Sequence, residues 1–288
     1  MKMNRKIFAI GLASMLLTLT ACGGTNTDTK TPASSNPASG NTNTTELSGK
    51  LVIEGSTSMQ RIFQEMADTY TAKNPKVIIE YMGDGSSAGI KAAIADTANI
   101  GTASRAVKDE EKSQGIEVIK VAEDAIAVVV NSANTVKDLS KEQIAKIYKK
   151  EITNWKDVGG SDLPIVVVAR DAASGTREAF ESLFEVKDKV QADQEAAKTG
   201  EVKTVVFQNP NAIGYISLAY ADSMVSTLTI DGMVASTENV LNGTYTIKRP
   251  FNIITKGQPD ELEKAFIDFI FTEEGAEIIS KEAVPINR

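Results

Sequence analysis

From Leu47 onward, short runs of β-forming apolar residues alternate with longer stretches whose apolar positions recur every three or four residues. "KLVIEG" precedes "TSMQRIFQEMADTYTAKN", where Ile62, Phe63, Met66, Ala67 and Tyr70 share one helical face. "KVIIEYMG" precedes "SSAGIKAAIADT", and "NIGTA" precedes "SRAVKDEEKSQG". "DAIAVVVN" is apolar without a break, the pattern of a buried parallel strand. Ser140 and Gln143 make a capping box ahead of "KEQIAKIYKKE". "LPIVVVAR" leads into a helix from about Ser174, and Pro259 suits the first turn of a helix over "PDELEKAFIDFIFTEEGAEIISKE". Strands alternating with helices predict an α/β architecture with mainly parallel sheets. No repeat of fixed period is present.

The first 46 residues break this pattern. Lys2, Arg5 and Lys6 precede an apolar run from Ile7 to Leu19 that ends in "LTAC", which reads as a secretory signal over residues 1–21. Cys22 is the only cysteine, so no internal disulfide can form, and its place directly after Leu-Thr-Ala resembles the lipobox of bacterial lipoproteins. Lipid on Cys22 would tether the chain to a membrane surface without spanning it. Residues 22–46 are dominated by Ser, Thr, Asn, Gly and Pro and read as a flexible linker.

Composition narrows the chemistry. Of the 288 residues, 42% are hydrophobic, enough for packed cores in one large or two ordinary domains. Loss of residues 1–21 removes three positive charges and no negative ones, taking the net charge from −7 to −7 − 3 = −10. A chain so acidic is not expected to bind nucleic acid. With no histidine there is no Ser-His-Asp triad, and a lipidated Cys22 cannot serve as a nucleophile. Asp84, Asp96 and Asp171 lack the tight spacing of a metal site, so neither metal nor cofactor is expected. A carboxylate-only phosphatase is the enzymatic alternative.

The strand-to-helix junctions carry a common signature. They read "GSTSM" (55–59), "GDGSSAG" (83–89), "GTASR" (101–105) and "RDAASGT" (170–176). Each sets small hydroxyl residues and glycines where a helix begins, and a helix start offers unpaired N–H groups and partial positive charge. Any one of them is explained equally well as an ordinary N-cap. Four in one α/β chain, two with an arginine alongside, point to a small oxyanion. Arg170 is placed to fork onto two anion oxygens, or else to pair with Asp171; Arg105 is placed to add charge, or else to start a solvated helix. Arg177, one turn into its helix, is expected to be structural, pairing with Glu178, Glu181 or a neighbouring loop.

At these junctions the sequence resembles the phosphate-binding proteins of bacterial phosphate ABC transporters, from about Leu47 to the C-terminus. "GSTSM", "GSSAGIKAAI", "IGTASR", "EITNWKDVGG", "RDAASGTREAF" and "NPNAIGYISL" carry the resemblance. It implies a class II periplasmic-binding-protein fold, in which two α/β lobes joined by two crossing strands close on phosphate. Carried over here, the crossings fall near Val129–Asn131 and Ile247–Phe251. Lobe I then takes residues 47–129 and 249–288, and lobe II takes 130–248. The implied phosphate ligands are Thr57, Ser58, Ser86, Arg170, Ser174, Gly175 and Thr176, with Ser104 and Arg105 at the third junction. Some members have an aspartate in place of Arg105, accepting the phosphate proton; here Asp171 or Asp84 is expected to supply that acceptor. The resemblance further implies a monomeric, non-enzymatic receptor of a Gram-positive bacterium, held at the outer face of the membrane and serving a permease. Receptors for sulfate or molybdate, a secreted phosphate-ester hydrolase and a surface adhesin are the alternatives.

Overall fold

The computed structural model describes residues 47–287, which belong to one compact unit. The signal segment, the linker and Cys22 lie outside the described residues. No helix among the described residues is long and apolar enough to cross a membrane.

The chain runs β1 (Gly49–Gly55), α1 (Gln60–Lys73), β2 (Val77–Met82), α2 (Ser86–Ala95), β3 (Ile100–Ala103), α3 (Asp109–Lys112) and β4 (Ile116–Asn131). It continues through β5 (Asp138–Leu139), α4 (Lys141–Tyr148), β6 (Val166–Arg170), α5 (Gly175–Leu183), β7 (Gln194–Ala196), α6 (Thr199–Gln208) and β8 (Ala212–Ser217). β9 (Val225–Thr227), β10 (Thr229–Ile230), α7 (Thr237–Leu241), β11 (Lys248–Lys256), α8 (Glu261–Ile270), α9 (Glu273–Ser280) and β12 (Val284–Pro285) complete it.

Two large apolar cores form along one long strand, with a third, smaller cluster of Ile90, Ala93, Ala103, Val107, Ile116 and Ile254. In the first half, β1 pairs parallel with β2 and β3, β3 pairs antiparallel with β11, and β11 pairs antiparallel with β4. The predicted face of α1 is buried at all five positions and packs with Phe266, Ile270 and Ile279 of α8 and α9 against Leu51 and Ile53. In the second half, β8 pairs antiparallel with β4 and parallel with β6, which pairs parallel with β7. There Phe180 of α5 stacks on Tyr215 of β8, ring centroids 4.0 Å apart, within a core that includes Ile144, Trp155, Val167 and Val202.

β4 belongs to both halves. Ile116–Ala125 pairs with β11, and from Ile126 onward the same strand pairs with β8 and β9. This corrects the parallel reading of "DAIAVVVN": the segment is buried throughout, but every neighbour of β4 is antiparallel to it, and the sheets are mixed. An unbroken apolar run reports burial on two faces, and says nothing of strand direction.

Two other expectations change. "SRAVKDEEKSQG" is helical only over Asp109–Lys112, because Ser104 and Arg105 are tied down before a helix can wind: Ser104 N donates to Ser86 Oγ, and Asn252 Nδ2 donates to the Arg105 carbonyl. The C-terminal helix is two helices. α8 starts at a capping box of Asp260 and Glu263, with Pro259 outside it, and Thr272 caps α9 by accepting from Gly275 N. A Cβ at Gly275 would meet the carbonyl of Phe269 at 2.4 Å, so the sharp break between the helices needs that glycine.

Candidate anion site

The site is built where strand ends deliver small residues to one point. Gly55 closes β1 with φ +139°, and a Cβ there would lie 2.1 Å from the Thr102 carbonyl. Only glycine permits this approach. It lets Ser56 N donate to both the carbonyl and the hydroxyl of Thr102, and Tyr81 Oη buttresses the turn by donating to Ser56 O at 2.6 Å. Thr57 and Ser58 are thereby fixed one turn ahead of α1. From the second half, Tyr215 Oη accepts from Arg170 N, and Ser174 caps α5 by accepting from Arg177 N at 3.2 Å. Arg177 itself binds Glu181, Glu195 and the Arg170 carbonyl, the structural part expected of it.

The two halves meet through hydroxyl groups. Ser58 Oγ lies 3.0 Å from Thr176 Oγ1 and 3.0 Å from Thr199 Oγ1, and Thr57 Oγ1 lies 2.9 Å from Thr199 Oγ1. Ser86 Oγ lies 3.2 Å from Ser104 Oγ, and Gly175 is seated against Ser86 so closely that a Cβ would fall 2.2 Å from its hydroxyl. Bonds to backbone carbonyls fasten the contact: Ser87 N donates to Ala173 O, Tyr220 Oη donates to Thr57 O, and Arg61 Nη1 donates to Ala219 O. Thr57, Ser58, Ser86, Ser104, Ser174 and Thr176 are all buried.

Arg170 is buried to 1% exposure. Its Nε donates to Ala196 O, Nη2 to Ala197 O and Nη1 to Thr199 Oγ1. These partners satisfy donors but cancel no charge, and among the described residues no carboxylate lies within ion-pair distance. Burial pushes the guanidinium down to about 10, with Asp171 pulling the other way. A buried cation without an anion is costly, and this one touches the Thr199 hydroxyl, which itself meets the hydroxyls of Thr57 and Ser58.

Arg105 is a correction. Its Nη1 and Nη2 fork onto Glu111, both at 2.8 Å, and its Nε lies 2.9 Å from Glu178 Oε2, too far off line for a hydrogen bond but close enough to pair charges. Instead of adding charge to the hydroxyl cluster, it joins α3 of the first half to α5 of the second, with Lys108 also on Glu178. Asp84 is exposed and supplies no buried acceptor, whereas Asp171 Oδ1 is buried with no hydrogen-bond partner.

Three residues of the site were not anticipated. Thr199 opens α6 after β7, a strand-to-helix junction of the same type as the other four, hidden because "DQEAAK" is too polar to read as a strand. Arg249 and Asp124 form a buried ion pair, Nη2 to Oδ2 2.9 Å, beside the hydroxyl cluster. A charge directly ahead of an apolar run in each strand, Asp124 before "AIAVVV" and Arg249 before "PFNII", was the available signal.

Convergent hydroxyls, helix starts and an unpaired buried arginine suit a small tetrahedral oxyanion. Known proteins agree with that chemistry. A family model described as a PBP superfamily domain matches residues 31–274. The phosphate-binding protein PstS of Bacillus subtilis (strain 168) is 32% identical over 285 residues, covering 95% of this chain and 91% of that one. PstS of Borreliella burgdorferi is 30% identical over 243 residues, covering 80% and 87%. Among solved structures, a protein from Clostridium perfringens assigned to phosphate ABC transporters as a substrate-binding protein, solved with bound phosphate, superposes with a TM-score of 0.81. The two are 42% identical, over 83% of this chain and all of that one. An ABC-type phosphate transport receptor from Vibrio cholerae gives a TM-score of 0.68 at 35% identity, covering 81% and 99%. The chain therefore belongs to the phosphate-binding protein family of the PBP superfamily, with that fold's two mixed α/β lobes.

Proposed function

We propose that this protein is an extracytoplasmic receptor that captures inorganic phosphate between its lobes and delivers it to the permease of an ABC transporter. The observation that carries the reading is Arg170: a buried guanidinium, bonded only to neutral acceptors, one of which, the Thr199 hydroxyl, also meets Thr57 and Ser58 of the other lobe. Thr57, Ser58, Ser86, Ser104, Arg170, Ser174, Gly175 and Thr176 form the phosphate site, and Thr199 joins them. Asp171, whose Oδ1 is buried and unpartnered, accepts the phosphate proton, a group that sulfate lacks. The lobes exchange at Ala125–Ile126 of β4, slightly ahead of the expected crossing, and at Ile247–Lys248, at the start of the other expected crossing; the change of strand partners there supports this division. Lipid on Cys22 and the linker to residue 46 hold the receptor, as a monomer, to the outer face of the membrane. Its work is binding rather than turnover, in keeping with relatives named for binding phosphate.

Charge-assisted hydrogen bonds are worth about 1.5–3 kcal/mol each. Two of them from one guanidinium amount to about 3–6 kcal/mol, so Arg170→Ala should weaken phosphate binding at least about a hundredfold. Calorimetric titration of anion-stripped protein measures this directly. Phosphate affinity left intact by both Arg170→Ala and Thr57→Val would refute the assignment.

A further inference from the structure

Arg249 and Asp124 face each other across β11 and β4, in register, where β4 changes partners. Both are buried, with side chains 1% and 0% exposed. Arg249 Nε and Nη2 donate to Asp124 Oδ2 at 3.0 and 2.9 Å, and Asp124 Oδ1 accepts from Ser217 Oγ at 2.8 Å. The carboxylate is thus occupied on both oxygens, one by the guanidinium and one by Ser217. A buried pair of this kind adds little stability over apolar residues of similar volume, so stability alone does not account for it.

The remaining donors of Arg249 point into the anion site. Nη2 donates to Ser58 Oγ at 3.0 Å; Nη1 donates to Thr176 Oγ1 at 2.6 Å and to Ser104 Oγ at 3.2 Å. Guanidinium has protons to give and no lone pair to offer, so a hydroxyl that accepts from it keeps its own proton for another acceptor. One side chain imposes this on three hydroxyls from three separate segments and both lobes. A cluster oriented in this way is built for a ligand made of acceptors.

The charges follow. Asp124 cancels Arg249, so the anion meets Arg170 as the uncompensated guanidinium. We infer that Arg249, clamped by Asp124, is a positioning residue of the anion site: it turns the hydroxyls of Ser58, Ser104 and Thr176 toward the ligand, and its neutralisation by Asp124 holds down the preference for full dianions. This rests on the phosphate reading and extends it to how the site weighs phosphate against sulfate.

The test is calorimetric titration with inorganic phosphate and with sulfate at pH 7, on wild type, Asp124→Asn and the double variant Asp124→Asn/Arg249→Gln, each first checked by thermal unfolding. Asp124→Asn frees a positive charge beside the anion, so sulfate should gain on phosphate and the ratio of the two affinities should fall about tenfold. The double variant exchanges the ion pair for a neutral amide pair, which keeps the test available where the single variant does not fold. It should bind both anions about tenfold more weakly, since its hydroxyls are no longer held as donors. A purely structural pair would change melting temperature and leave the ratio alone. Unchanged affinities and an unchanged ratio overturn this inference, while wild type that takes up no phosphate overturns the functional reading and the inference with it.

Discussion

Gly175→Ala separates closure of the lobes from their folding. Gly175 is the first residue of α5 in the second lobe, and Ser86 is the first residue of α2 in the first lobe. A Cβ at position 175 would lie 2.2 Å from Ser86 Oγ and 2.8 Å from Ser86 Cβ. Rotating the serine hydroxyl relieves the first contact at the expense of its bond to Ser104, but no rotation relieves the second. Non-bonded carbons settle about 3.5–4.0 Å apart, so the lobes must separate by nearly an ångström at this point. Overpacking of this order costs about 1–3 kcal/mol, and it is felt only when the lobes are together. Phosphate binding should therefore weaken about five- to 150-fold. Gly175 does not have a left-handed backbone, so alanine fits the fold locally and the melting temperature of the anion-free protein should not fall. Titration calorimetry and thermal unfolding of the same preparation read both quantities. Full affinity in Gly175→Ala would mean that Ser86 and Gly175 do not meet in the bound state, and the cross-lobe site as described would be wrong.

The same interface yields two further expectations. Thr199→Val keeps the shape of the side chain but removes the hydroxyl that touches Thr57, Ser58 and Arg170, so phosphate affinity should drop by about 1–3 kcal/mol, measured by calorimetry, with no loss of helix in circular dichroism. Glu178→Gln cuts the lobe-to-lobe charge contact with Arg105 and Lys108; because Glu178 is partly solvated, the loss should be about two- to fivefold in affinity, and should vanish at high salt where wild type and variant converge.

What the sequence disclosed was local. The face of α1, the capping box of Ser140 and Gln143 and the Ser174 cap each depend on residues within a turn or two of one another, and all are present. The opposite direction of β4's neighbours was not legible, because Val128, Val129 and Val130 would be equally buried in either orientation. Arg105 misled for a related reason: its distance from Ser104 is fixed by the chain, but its direction is set by Glu111 and Glu178, one nearby and one in the other lobe. Arg249 and Asp124 stand 125 residues apart, and only the fold makes one the partner of the other. Thr199 was obscured by the polarity of β7, whose backbone pairs with β6 even though its side chains lie largely exposed.

The continuity of β4 has a mechanical consequence. Its change of partners falls between two adjacent residues of an unbroken strand, and β11 starts opposite Ala125, where that change begins, with Ile126 N donating to Ile247 O just ahead of it. Rotation of one lobe on the other must then be taken up partly as twist in β4 and partly in residues 244–247, which lead into β11 without regular secondary structure. A cleft hinged on a continuous strand opens on the side away from that strand. Its contents are surrendered when the whole seam opens, which makes the receptor a container with a single door.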